Sequence, residues 1–423
     1  MRYFLILTLL LTAACTKSTR APVPAATPAS PTTTSTSPTP NTTPPASLKP
    51  ASLILTDEQI AAGYIQLFDG ESLFGWHSTN DKVPWKADAK TGVLSADGEE
   101  IGLLLTDVRF QNYELEADVK CAPGANTGLF VHCKADPKKL ETDFYEINIA
   151  DAHPEGFTTG AIVTKAKSEK TYPLGDWMHF KIIVQGSHIQ VFINGEQALD
   201  FNDTSDTKLT NGYIALQKRF GDVAFKNIIL KPLNMTSLFD GKTLNGWKEV
   251  PGNKASFKLS ENQTLLAQGG LGFLESTGTY KDFLLQLDAQ TLDNNVNTGL
   301  FFRALEGTEN APSHGYEMQI DNSLKDGNPM TPANAGTGAI FRRNIARRIV
   351  SKDNELAHIT LVADGLTFMS WVNGYPVSNW TDTRPPSDNP REGSKKEAGH
   401  LSLQGHDPGT KAEFRNIRIQ PYE

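Results

Sequence analysis

From residue 53 onward the chain reads as short runs in which apolar and polar residues alternate. Tyr113-Glu114-Leu115-Glu116-Ala117-Asp118-Val119, Ile189-Gln190-Val191-Phe192-Ile193 and His400-Leu401-Ser402-Leu403-Gln404 show the pattern. A period of two sends successive side chains to opposite sides of an extended backbone. Each run therefore predicts a strand with one face in a core and one in water. Asn194-Gly195 and Asn373-Gly374 fall between such runs, and a tight hairpin wants the positive φ that this pair accepts. Helical periodicity is scarce, although Thr56-x-x-Gln59 predicts one capped helical turn.

The runs occur twice. Leu67-Phe68-Asp69-Gly70 with Gly75-Trp76 returns as Leu238-Phe239-Asp240-Gly241 with Gly246-Trp247. Asn126-Thr127-Gly128-Leu129-Phe130 returns as Asn297-Thr298-Gly299-Leu300-Phe301, and Tyr145-Glu146 as Tyr316-Glu317. Thr159-Gly160-Ala161-Ile162 matches Thr337-Gly338-Ala339-Ile340, Leu216-Gln217 matches Leu403-Gln404, and Phe225-Lys226-Asn227-Ile228 matches Phe414-Arg415-Asn416-Ile417. The order is constant and the period is far too long for a solenoid. Two homologous all-β domains are predicted, residues 53–232 and 233–423, each a two-sheet antiparallel β-sandwich of jelly-roll type. The Asp-Gly and Gly-Trp elements read as a turn and a core-filling ring. Cys121 and Cys133 flank a predicted hairpin out of register, and a disulfide between them stays open.

The segment before the repeats is different in kind. Met1-Arg2, the apolar run Tyr3 to Leu11 and Thr12-Ala13-Ala14-Cys15 form an export signal over residues 1–14. Small residues before a Cys resemble a bacterial lipoprotein box, which implies a lipidated Cys15 and a membrane anchor on the bacterial cell envelope, with the outer membrane or periplasmic side favoured. Residues 15–52 are rich in Pro, Thr and Ser and cannot bury enough surface to order themselves, so they read as a semi-stiff stalk. Across 423 residues, 40 Lys and Arg face 48 Asp and Glu, a net charge of −8 without any basic block. Nucleic acid is thereby excluded as a partner.

The ordered set Leu55-Thr56-Asp57-Glu58, Leu-Phe-Asp-Gly, Asn-Thr-Gly-Leu-Phe, Gly-Tyr-Glu-Met-Gln, Thr-Gly-Ala-Ile, Trp-Val-Asn-Gly and Phe-Arg-Asn-Ile resembles the 3-keto-disaccharide hydrolase domain family, in two tandem copies. The resemblance implies a concanavalin A-like lectin/glucanase fold and action on glycosides oxidised at C3. The Glu-x-Asp-x-x-Glu strand of family 16-type glucanases is missing, and Glu114-Leu115-Glu116-Ala117-Asp118 has the wrong spacing for it.

Alternation also places candidate site residues. With Tyr316, Met318 and Ile320 pointing inward, Glu317, Gln319 and Asp321 share the opposite face. Ser402, Gln404 and His406 are placed in the same way by Leu401 and Leu403, and Arg303 by Leu300 and Phe302. Three strands could thus bring Arg303, Glu317 and His406 as catalytic groups, and Gln319, Asp321, Gln404 and Ser402 as binding groups, into one polar cleft. The first repeat offers His132, Glu146, Asn148, Gln217 and Arg219 at comparable places and lacks a His after its Gln, so it reads as a secondary site.

A C3 ketone acidifies the C2 hydrogen, and its removal permits elimination of the C1 substituent; added water completes hydrolysis. This route calls for a base (His406 or Glu317), a positive group at the C3 oxygen (Arg303 or a bound metal) and an acid for the leaving oxygen. A divalent ion held by Glu317, Asp321 and His406 is one option. The rival expectation is a carbohydrate-binding lipoprotein without catalysis, in which Trp371 or Trp380 would stack on sugar.

Overall fold

The structure, a computed structural model, describes residues 47–422. The expected export segment, Cys15 and most of the expected stalk lie outside the described residues. The rest is all-β: four antiparallel sheets form two tandem sandwiches of jelly-roll, concanavalin A-like type, each an eight-stranded sheet facing a five-stranded one. In the first sandwich the small sheet runs in the order Trp76–Ser78, Gly102–Thr106, Tyr213–Lys218, Asn126–Cys133, Tyr145–Ala150. In the second it runs Trp247–Glu249, Gly272–Tyr280, Gly399–Gly405, Thr298–Ala304, Tyr316–Ile320. Strand for strand the order is the same.

The local expectations hold. Asn194 and Gly195 adopt φ of 52° and 84°, and Asn373 and Gly374 adopt 48° and 77°. Each pair turns a hairpin, and Gly374 does so with Leu55 packed so closely that no Cβ would fit. The helix Asp57–Ala61 begins at Thr56, whose hydroxyl accepts from the Gln59 amide while the Gln59 side chain accepts from the Thr56 amide. Trp76 and Trp247 fill core ends, donating Nε1–H to the carbonyls of Leu67 and Leu238. Cys121 and Cys133 are buried free thiols. The segment carrying Leu53, Leu55 and Ile60 packs into the core of the second sandwich and not the first.

The two sandwiches meet over the outer face of the second large sheet. Its cross-strand row Leu284–Val362–Met369 and the neighbouring Trp371 are buried in the same apolar cluster as the core of the first sandwich. The equivalent row of the first sandwich is Glu114–Ile183–Gln190, half-buried and largely polar. Polar clamps rim the contact. Arg109 donates Nε–H and Nη2–H to Asp364 Oδ1 at 2.8 and 2.5 Å, and Arg347 Nη1–H reaches Asp69 at 2.6 Å. Trp371 is part of this contact, its Nε1–H on the Gln66 carbonyl. Trp380 packs on Phe368 and Tyr316. Neither indole is a free sugar platform.

Candidate functional site

The outer face of the small sheet in the second sandwich carries the polar side chains. Its inner face sends Leu300, Phe302, Tyr316, Met318, Leu401 and Leu403 into the core. Alternation then sets Lys248, Glu275, Ser402, Phe301 and Glu317 side by side on the other face, one from each strand. One step along, Phe273 lies opposite Gln404 and Gly299 opposite Gln319. Gly299 makes room here: a Cβ would sit 3.2 Å from Glu317 Oε1 and would press on the carboxylate that lies across the neighbouring strand. The preceding Thr298 ties its strand to the next through a hydroxyl bond to the Gln404 carbonyl.

Glu317 is 5% exposed. Burial pushes its carboxyl above the usual carboxylate range, and the positive charges of Arg391, His406 and Arg342 oppose that rise. Arg391 Nη2 lies 3.3 Å from Glu317 Oε2, with its guanidinium over the Phe301 ring. His406 is partly open to solvent; its Nδ1 is 2.8 Å from Asp407 Oδ2 and its Nε2 is 3.3 Å from Asn297 Nδ2. Asp407 thus accepts from Nδ1–H, and Nε2 is the ring nitrogen turned toward Asn297 and the polar face. Around these groups, Asn297 Oδ1, Gln319 Oε1, Ser402 Oγ and Gln404 Oε1 are buried without a hydrogen-bond partner. Buried polar atoms are nearly always satisfied, so four orphans on one face mark a place shaped to receive hydroxyls.

Glu317, Gln319, Ser402, Gln404 and His406 therefore belong to one face, as alternation predicts. Two of the expected residues do not. Arg303 is fully buried elsewhere: its guanidinium donates to the carbonyls of Lys281, Gly365 and Lys395 and to Asp282. The register shifts between Phe301 and Ala304, and Arg303 has φ of 49°. This bulge breaks the period of two on which its placement rested. Asp321 lies past the end of its strand, one oxygen accepting from Ser323 and the other from Asn334 at 2.9 Å. It clamps a loop, so the set Glu317, Asp321 and His406 does not assemble around one ion, and no step is routed through a metal.

Sequence reasoning missed Arg391, Arg342, Asn297, and the Lys248–Glu275 ion pair at 3.4 Å. Arg391 sits on residues 382–398, a connection longer than its counterpart 203–212. Tyr316 and Arg384 hold this arm in place through Asp382 and the Lys395 amide. Nothing in the repeat pattern aligns with it. Asn297 was legible, since an Asn precedes Thr-Gly in both copies.

The first sandwich repeats the layout in the same register: Glu146 opposite Phe130, Asn148 opposite Gly128, and Gln217 opposite Leu103. Gly128 again leaves room for the carboxylate. Glu146 is 3% exposed, and burial pushes its pKa up to about 7 against the pull of Arg219 and Gln217. His132, the counterpart of Arg303, is buried with φ of 49°. Its ring nitrogens face the carbonyls of Leu209 and Gln111, and burial takes its pKa down to about 4. It is a packing residue and not part of the secondary site. A cavity of about 470 Å³ opens over Glu146, Asn148 and Arg219.

Fold and site together define a tandem β-sandwich protein with a buried carboxylate and amides on the outer face of each small sheet. The chain belongs to the family of 3-keto-alpha-glucoside-1,2-lyase-like domains, whose model matches residues 63–231 and again 234–420. It is 24% identical over 231 residues to a 3-keto-disaccharide hydrolase of Bacteroides thetaiotaomicron, spanning 41% of this chain and 80% of that protein. A crystal structure of a candidate glycosyl hydrolase from Parabacteroides distasonis matches with TM-score 0.39 and 22% identity, covering 43% of this chain and 99% of the other. A carbohydrate-binding module of Bacillus subtilis matches with TM-score 0.30 and 14% identity, covering 37% and 95%.

Proposed function

We propose that the second sandwich acts on glycosides oxidised at C3, breaking the C1–oxygen bond by elimination across C1 and C2. The observation that carries this reading is the set of four unpartnered buried polar atoms around a buried, charge-flanked carboxylate. Glu317 is the base: its raised proton affinity brings it toward the pH at which a base works best. It takes the C2 hydrogen, and the electron pair passes to the C3 oxygen as an enediolate. Arg391 and Arg342 stabilise that negative charge, in the role alternation had given to Arg303. The pair then returns to form the C1–C2 double bond as the C1 substituent leaves, and His406 gives its oxygen a proton. Water added across the double bond yields the free 3-keto sugar. Gln319, Gln404 and Asn297 hold the ring hydroxyls. The family description and the Bacteroides relative support the substrate class.

Incubating the protein with 3-keto-trehalose and following release of glucose tests the proposal; no turnover of any 3-keto glycoside overturns it. The same assay in EDTA asks separately whether a divalent ion shares the work of the arginines. For the envelope anchor, labelled fatty acid is expected to appear on the wild-type chain and not on Cys15→Ala.

A further inference from the structure

The cleft over Glu146 keeps the amides and carboxylate of the second site but differs in the two residues near the end of its Gln strand. Where the second copy has His406-Asp407, the first has Arg219-Phe220. Phe220 is 53% exposed, a rare state for a large apolar side chain among the described residues, and it borders the cleft. Its backbone is pinned in both directions to Asn126, N–H to O at 3.0 Å each way, and Arg219 lies over its ring. An exposed aromatic ring on a pinned backbone, with Arg219 over one face, thus stands beside a polar hollow. In that hollow the Oδ1 atoms of Asn126 and Asn148 have no hydrogen-bond partner, and Asn148 is 1% exposed. The Asn148 amide is oriented by donating to the Phe157 carbonyl, which leaves its oxygen for a ligand.

We propose that this cleft binds an uncharged saccharide ring, stacked on Phe220 and hydrogen-bonded through Asn126 and Asn148, separately from the polar face of the second sandwich. Sugar rings offer an apolar face to an aromatic and hydroxyls to amides, and the exposed ring beside orphaned acceptors matches both demands. Glu146, Asp151 and Glu155 outnumber Arg219 on the walls, which disfavours an anionic ligand. The cavity lies within the roughly 300–1,000 Å³ usual for small-molecule sites. Arg219 stands in the place of His406, and the imidazole that lines this cleft is His153, from a different segment. The inference concerns binding of unoxidised sugar and does not rest on the catalytic proposal.

Titration calorimetry with trehalose, maltose and cellobiose on the full chain tests it. Wild type and Glu317→Gln are expected to bind at least one of these sugars equally. Phe220→Ala, a surface change that leaves thermal unfolding in place, is expected to weaken binding at least tenfold, and Asn148→Ala likewise. Binding that survives Phe220→Ala, binding lost in Glu317→Gln, or no binding of any of the three by wild type overturns the proposal.

Discussion

The two sandwiches share strand order, register and even the glycine beneath the carboxylate, yet they differ on both outer faces. On the small sheet, the second copy sets Lys248, Glu275 and Ser402 where the first has His77, Leu105 and Ala215. Half of the first copy's face is thus apolar, with Leu105, Phe130 and Ala215 packed together. The second copy also gains Arg391 from its longer arm. On the large sheet the contrast reverses: the second copy is apolar and covered, the first polar and half-open. Duplication kept the framework that the core requires. The outer faces, which the core does not constrain, diverged into one face that docks, one that meets water and two unlike polar sites.

The comparison can be broken in order of expected effect. Glu317→Gln is expected to lower kcat on a 3-keto glycoside by roughly 10²–10⁴-fold, the range of general acid–base catalysis. A loss as large from Glu146→Gln, measured in the same steady-state assay, would move the chemistry to the first sandwich. Arg391→Ala should lower kcat with a smaller loss of stability than Arg303→Ala, which should leave kcat near wild type. Removing Arg303 leaves three carbonyls without their donor and takes from Asp282 one of its two arginines, a cost of up to about 3–5 kcal/mol by analogy with broken buried ion pairs, readable by chemical denaturation. Leu284→Glu writes the first copy's Glu114 into the docked face. Burying that unpaired carboxylate should cost at least about 3 kcal/mol, and a variant as stable as wild type would show that the face is not sealed.

The smallest effect is the pH dependence. Native Glu146 holds its proton up to about pH 7, while the unfolded chain releases it near the ordinary carboxylate range. The native state therefore binds the extra proton between those values. Its contribution to stability is full below about pH 4.5 and is lost as pH rises through about 7. At about 1.4 kcal/mol per tenfold change in proton affinity, the loss is on the order of 3 kcal/mol. Glu146→Gln should flatten this decline in a urea titration at pH 5 and pH 8. An unchanged pH profile would place Glu146 in contact with solvent.

Much of the site was legible because a strand's side-chain direction can be had by counting. Glu317, Gln319, Ser402 and Gln404 sit where alternation from their apolar neighbours puts them. Counting failed at Arg303 and His132 for one shared reason. Both occupy a left-handed residue at a register shift, and a bulge re-aims a side chain without leaving a mark in the apolar pattern. It failed at Asp321 because the strand had already ended. The docking of the sandwiches left a faint trace: Phe283-Leu284-Leu285 and Leu361-Val362-Ala363 are continuous apolar runs, as expected of strands buried on both faces.

The sequence by itself determined the duplication, the strands, the hairpins and the facing of most site residues. These depend on local backbone preference and on a two-residue period that each segment carries within itself. Only the tertiary structure decided which arginine meets Glu317, that Arg303 is a brace, and that Trp371 belongs to an interface. Those outcomes depend on where a long connection folds back and which sheet face finds a cover. Both are set by contacts between segments far apart in the chain, and the local pattern carries no more of them than the apolar runs of the covered sheet.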